Sequence, residues 1–461
     1  MIGKNRLKCA FVCAMIAFMS LGAAVPKASA ATAEALPKPG YTLPVVRPRR
    51  LVEAFIIPDV YGDGEQVSAV ALKYPAEIDS RKLRKGFFEV KDRTITKVTT
   101  NTTPSLEADQ PGKYVILHLK HTNSVPFKQQ AKEKKKSKKN KKDDGAQDKR
   151  EAPMFSDREK PVLKAIVQQT HKIKAVNGLK YPVMTVPITT SRKTKSILDS
   201  FQTLYYEDAD VPATIPYNLY LPKGYDPAKK YPMVVFIGDA SANTDDDTGA
   251  LYQGNGGTIW ATEKEQQKHP AIVLVPQYRK QLIYQLGMMT KDDHKWTPGL
   301  TLVRNLIHHV RDSYAVDKDR IYGTGQSQGG MANIALSDKE PDLFAGQYLV
   351  ACQWDVDEMA AMKDKNLWIV VCKGDTKAYP GMTAAADKWE SLGSKVVRGT
   401  WNSHSSPKKF AKLTAQMAPA APIHLTIFKG GNHMYTWSVA YDIEGIRDWL
   451  FEQRKTAKSE E

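Results

Sequence analysis

The sequence is poor in cysteine. Four occur in 461 residues, at positions 9, 13, 352 and 372. No Cys/His spacing matches a zinc site, so a structural zinc is excluded. Long apolar runs are also missing. The one at residues 9–24 is too short for a comfortable membrane span, and nothing later is long and apolar enough to cross a bilayer. Acidic residues are short against basic ones, 50 Asp and Glu to 67 Lys and Arg, for a net charge of +17.

The apolar run belongs to a leader. Lys4, Arg6 and Lys8 open it, and Ala28, Ser29 and Ala30 close it. That is a secretory signal peptide cleaved after Ala30, so the expected location is periplasmic or secreted. Removing the leader, which carries the basic residues Lys4, Arg6, Lys8 and Lys27, takes the net charge from +17 to +13. Residues 131–150 hold ten Lys and Arg against four Asp and Glu, about half of that excess. The basicity is therefore one local run rather than a charged face.

After cleavage only Cys352 and Cys372 remain. Both end expected strands, so a bridge is possible if those strands are neighbours. The preferred reading is two buried thiols acting as small apolar groups.

Residues 31–49, rich in Pro and Ala, read as an extended lead-in. Residues 50–190 read as a small β-sandwich, with strands at 51–57, 66–74, 86–90, 97–99, 113–119, 162–169 and 179–186 between turn residues. A lysine-dominated insertion at 127–155 interrupts it. That segment cannot bury enough surface to fold and reads as a disordered loop, with an electrostatic tether to an anionic envelope surface through 131–150 as the sharper alternative. No aromatics interleave its lysines, which argues against nucleic acid.

Residues 191–461 alternate strands and helices, the pattern of a mostly parallel sheet covered on both faces. Expected strands lie at 201–205, 217–221, 231–237, 269–276, 320–323, 346–352, 367–372, 395–401 and 423–428. Helices are expected at 299–314, 382–392 and 438–456. His308 and His309 fall on the first helix, with a surface or packing role.

Within this region Gly325-Gln326-Ser327-Gln328-Gly329 follows a strand and precedes a helix. A serine between two glycines there is the nucleophile-elbow pattern, because strand and helix can close around it only where Cβ atoms are missing. A serine hydroxyl needs a base, and the base needs a carboxylate to hold its tautomer. Asp375 and His433 each follow a strand, in the chain order Ser, Asp, His of the α/β-hydrolases. Asp355, Asp357 and His404 are the competitors. The backbone N–H of Gln328, with that of Asp239 or Ala240, is expected to face the oxyanion. Trp354, Tyr379, Met434, Tyr435 and Trp437 flank these loops and are candidates for a substrate subsite.

The phrases VSAVALKYPAEIDSRKL, FFEVKDRTITKVTTN and GKYVILHL resemble the Ig-like domain found ahead of some secreted bacterial esterases. YNLYLPKGYDPAKKYPMVVFIGDA, DRIYGTGQSQGGMANIAL, KGDTKAYPGMTAA and GGNHMYTWSVAYDIEGIRDWL resemble the secreted α/β-hydrolases described as predicted peptidases, near polymer-depolymerase and feruloyl-type esterases. The resemblance implies an α/β-hydrolase fold behind an Ig-like β-sandwich. It places Asp375 at the family's acid and His433 at its base, and it implies a small-molecule or polymer-bound ester as substrate, with no metal or organic cofactor. Many relatives carry a histidine in the oxyanion loop, where this chain has Gly238-Asp239-Ala240. A serine peptidase on the same residues is the alternative within enzymes. A non-catalytic envelope-binding protein on a hydrolase fold is the alternative from another class.

Overall fold

In a computed structural model, residues 52–106, 109–127 and 159–455 are described. The leader, the lead-in and nearly all of the lysine-dominated insertion lie outside them. Nine strands come first: β1 (Glu53–Tyr61), β2 (Gly64–Ile78), β3 (Phe88–Val90), β4 (Ile95–Asn101), β5 (Gly112–Leu119), β6 (Ala165–Gln169), β7 (Ile173–Lys174), β8 (Lys180–Tyr181) and β9 (Ile188–Thr190). They form an antiparallel sheet in the order β1-β2-β5-β4 and a second in the order β3-β6-β9, with β7 and β8 paired apart. Ile56, Val70, Leu72, Val115, Leu117 and Val167 meet in the core between them. Alternation along each strand sends these side chains to one face. Pro58, which has no N–H to donate, sits at the register shift of edge strand β1.

The expected strand at 179–186 is shorter than read, and ends as β8. Pro182 and Pro187 interrupt the ladder before β9 begins at Ile188.

Nine more strands build the larger sheet: β10 (Gln202–Glu207), β11 (Thr214–Tyr220), β12 (Tyr231–Ile237), β13 (Ile272–Pro276), β14 (Val316–Gln326), β15 (Gly346–Val350), β16 (Leu367–Cys372), β17 (Val396–Trp401) and β18 (Ile423–Phe428). Their order is β10-β11-β13-β12-β14-β15-β16-β18-β17. The contacts from β13 to β17 are parallel, and β10 and β11 add an antiparallel edge. Both faces are buried. Met233, Val235 and Ile237 pack towards the helix Pro298–Ser313, while Val234 and Phe236 pack towards Trp260 and Tyr441. The fold is an α/β-hydrolase sheet behind an antiparallel β domain, as the sequence pattern predicts.

Helix Pro298–Ser313 starts where Thr297 Oγ1 accepts the Leu300 N–H at 3.1 Å, with proline at its first position. His308 bonds Glu340 at 2.7 Å, and His309 packs against the Tyr206 ring at 4.9 Å. Among the described residues no helix is long and apolar enough to cross a membrane.

The single closing helix expected at 438–456 is two helices, His433–Ala440 and Glu444–Phe451. The reason is competition for carbonyls. Tyr348 Oη donates to the Ala440 carbonyl at 2.6 Å, and the Arg447 guanidinium takes the Tyr441 carbonyl. Asp442 meanwhile accepts from Asn255 Nδ2 at 2.7 Å. Groups that a continuous helix would use are bound by side chains from elsewhere.

Arg447 also donates to Glu265 Oε1 at 2.5 Å, with 4% and 1% of the two side chains exposed. This buried pair joins the last helix to the helix Glu263–Lys268. Glu265→Ala leaves the guanidinium uncompensated and should cost about 3–5 kcal/mol, seen as a lower urea midpoint with an unchanged slope. A shift of a few tenths of a kcal/mol would show the pair to be incidental.

Candidate active site

Strand β14 ends at Gln326 and the helix Gln328–Lys339 begins one residue later. Ser327 between them has φ 51° and ψ −119°, a backbone state that side chains rarely adopt. Neighbouring backbone enforces it. A Cβ on Gly329 would lie 1.8 Å from the Ile237 carbonyl oxygen, and one on Gly325 would lie 2.6 Å from the Gly329 backbone. The Ser327 N–H donates to the Val350 carbonyl at 3.0 Å, which ties the turn to β15.

Ser327 Oγ lies 2.8 Å from His433 Nε2, and His433 Nδ1 lies 2.6 Å from Asp375 Oδ2. Asp375 follows β16, and His433 opens the helix that follows β18. The parallel order therefore delivers three strand ends to one edge of the sheet. The other oxygen of Asp375 accepts the N–H groups of Lys377 at 3.1 Å and Ala378 at 3.0 Å. Burial pushes the Asp375 carboxyl up, but the His433 bond and charge and the two amides outweigh it and hold it below its ordinary value. The Trp437 ring meets the His433 ring edge to face at 5.1 Å.

Across from the serine, the loop after β12 forms a turn at Ala240–Ala242. Asp239 caps it, with Oδ1 accepting the Ser241 N–H at 2.6 Å and Oδ2 accepting from Gln326 Nε2 at 2.7 Å. Asn243 Nδ2 donates to Gln328 Oε1 at 2.9 Å. The loop thus grips the residues on either side of Ser327. A side chain at position 238 would meet Ala242 Cβ at 2.9 Å and Gln253 Nε2 at 3.0 Å, so glycine is needed for this turn.

The serine opens on a cleft of about 550 Å³. Met288 and Met331 give it an apolar wall, Thr290, Gln353 and Thr376 give polar groups, and Lys291, Asp292 and Lys377 carry charge. Lys377 Nζ bonds Asp292 Oδ2 at 2.6 Å. Among the described residues no group of three or more His, Cys, Asp and Glu is placed to hold a metal ion.

The five candidate subsite residues are placed differently. None is among the residues lining this cleft. Trp354 is buried and donates to Glu358 at 2.5 Å, and Tyr379 packs on the core. Met434 is exposed, Tyr435 packs against Phe127, and Trp437 touches His433. Asp355 caps a turn through the N–H groups of Asp357 and Glu358, Asp357 pairs with Lys388, and His404 lies beside Tyr435. Lys377, two residues after Asp375, carried a local hint. Met288 to Asp292 carried none, because the contacts that hold the segment at the cleft, such as Asp292 with Lys377 and Thr290 with Met331, come from distant parts of the chain.

Cys352 and Cys372 are free and buried. Burial pushes both thiols up, Cys372 to about 12, so neither is a ready nucleophile.

A thermostable esterase of known structure is 26% identical to this chain, with a TM-score of 0.65 over 88% of this chain and all of that one. A feruloyl esterase module from Clostridium thermocellum, complexed with sinapinate, is 16% identical, with a TM-score of 0.40 over 55% of this chain and 88% of that one. No curated protein matches the sequence. Residues 53–182 match the esterase Ig-like N-terminal domain, and residues 210–438 match the family described as "Putative esterase". The chain belongs to that esterase family, with an esterase-type Ig-like domain ahead of its α/β-hydrolase domain.

Proposed function

We propose that this protein hydrolyses carboxylic esters through a covalent acyl-enzyme on Ser327. The observation that carries the reading is the unbroken chain from Asp375 to His433 to Ser327, open to a cleft. Ser327 Oγ attacks the ester carbonyl carbon as His433 Nε2 takes its proton. The carbonyl electron pair moves to oxygen, giving a tetrahedral oxyanion. When it collapses, the bond to the alcohol oxygen breaks and His433 returns the proton to that alcohol. Water, deprotonated by the same nitrogen, then releases the acid and restores the serine.

The amides at the starts of two turns serve the oxyanion. Helix and turn starts carry N–H groups without partners inside the element. In the turn after β12, Asp239 engages the N–H groups of Ser241 and Ala242, which favours Ala240 as the donor beside Gln328. Esters are favoured over peptides by the family and by the thermostable esterase that matches 88% of this chain.

Ser327→Ala should cut turnover of p-nitrophenyl acyl esters by about 10³-fold or more with the melting temperature retained, and a fluorophosphonate should label the wild type only. Full activity in the variant would remove Ser327 from the mechanism. Aminoacyl substrates turned over faster than esters would favour the peptidase alternative. Absence of both labelling and turnover in folded wild type would favour the binder.

The Asp375 carboxyl gives a pH dependence. Its folded value lies below its ordinary 3.8, so its contribution is present above that value and is lost as pH falls through the lower one. Below about pH 4 the wild type should lose stability more steeply than Asp375→Asn in urea titrations. Parallel curves would show that the carboxylate is not held by these bonds.

Export through residues 1–30 and an anionic tether through 131–150 complete the reading. Secreted protein should begin at Ala31 by mass spectrometry. Deleting 131–150 should weaken binding to anionic envelope material at low salt and matter little at high salt. A retained leader, or binding unaffected by the deletion, would remove those parts.

A further inference from the structure

The chain leaves β5 at Leu119 and crosses onto the hydrolase domain in residues 121–127. The crossing is clamped at its start. His121 stacks on Tyr61 at 3.9 Å and bonds Asp63 Oδ1 at 2.8 Å, while the Ser124 N–H donates to Asp63 Oδ2 at 2.6 Å. Asp63 stands in the turn between β1 and β2. The same turn brings Gly62 so close to the helix His433–Ala440 that a Cβ there would lie 2.5 Å from the Ser438 carbonyl oxygen. Asn123 Nδ2 then donates to Ser438 Oγ at 2.7 Å.

The far end of the crossing reaches the loop that carries His433. Asn432 Nδ2 donates to the Pro126 carbonyl at 2.7 Å, while Asn432 Oδ1 caps the helix by accepting the Tyr435 N–H at 3.0 Å. Phe127 stands edge-on to Tyr435 with ring centres 5.0 Å apart, and its ring lies over Gly430, where a Cβ would come within 2.9 Å of it. Gly430 and Gly431 have φ of 78° and 77°, so the loop before the histidine is built from the two most permissive residues available. Such a loop needs restraint from outside. Cys372 and Gly374 supply it on one side: Cβ atoms at Gly431 and Gly374 would meet Cys372 Sγ at 2.5 Å and the Gly431 carbonyl at 2.0 Å. The crossing supplies it on the other.

We propose that Pro126 and Phe127, carried by the Ig-like domain, are positioning residues for His433. They fix the Asn432 cap and the two-glycine loop, and so the place of the imidazole between Asp375 and Ser327. The proposal rests on the reading of His433 as the base. It concerns a residue pair that touches neither substrate nor the reacting atoms, so the expected signature lies in the chemical step.

With p-nitrophenyl esters, Phe127→Ala should lower kcat about tenfold with KM within about twofold, because a small misplacement of a base affects the step and not the cleft. Phe127→Leu, which refills the space over Gly430, should restore most of kcat. Asn432→Asp retains the helix cap but replaces the donor to Pro126 by an acceptor, and should also lower kcat at constant KM. It serves as the second variant if Phe127→Ala does not fold. Hydrogen exchange at residues 430–437 should quicken in Phe127→Ala and Asn432→Asp. Unchanged kcat in either folded variant, an equal loss from Phe127→Leu, or a loss confined to KM would overturn the proposal. If the wild type neither turns over esters nor is labelled at Ser327, the catalytic reading fails separately. Unchanged exchange would then overturn the ordering of the loop by the crossing as well, and quickened exchange would uphold it.

Discussion

The constraint on which the rest depends is a backbone approach. The elbow lies against the end of β12 so closely that no Cβ fits at Gly329, and hardly one at Gly325. The parallel pairing of Ile237 with Gly325 sets this distance, so sheet register and the geometry of the candidate site are one fact. Ser327 takes its unusual φ because the strand must end and the helix begin within one residue. That conformation costs about 1–3 kcal/mol in isolation and persists because the packed sheet over-determines it.

A second consequence follows at the oxyanion loop. Without a histidine at position 238, the turn is held by Asp239 and Asn243, which bond the side chains on both flanks of the serine. Asp239, Gln326, Asn243 and Gln328 are all buried, where an unmade hydrogen bond is costly, so the Asp239–Gln326 and Asn243–Gln328 bonds help to specify the loop. The edge that carries Ser327 and His433 is therefore contacted by the loop after β12 on one side and by residues 121–127 on the other.

Much of the fold was legible because some elements announce themselves locally. Tyr231–Ile237 and Leu367–Cys372 are apolar runs, Ile423–Phe428 alternates Ile, Leu and Ile with His and Thr, and each is a strand with those bounds. The heptad-like apolar spacing over 299–314 became the helix Pro298–Ser313. Local pattern failed where distant groups intervene. The helix break at 441–443 depends on Tyr348 and Arg447 binding carbonyls, and no periodicity in that segment reports it. The candidate aromatic residues are placed by distant groups too. Nearness in sequence to a candidate catalytic loop does not say which way a side chain points, and Trp354 and Tyr435 are engaged in packing with Glu358 and Phe127.

The sequence by itself determined the elbow, the chain order of serine, aspartate and histidine, and the two-part architecture. Each rests on short-range rules: glycines where Cβ atoms cannot fit, polar loops at strand ends, and periodicity within one element. Only the tertiary structure decided what lines the cleft, what replaces the missing loop histidine, and that residues 121–127 reach the His433 loop. Those contacts join positions far apart in sequence, such as Asn243 and Gln328 or Pro126 and Asn432. Strand order and register bring them together, and no local stretch of sequence encodes either.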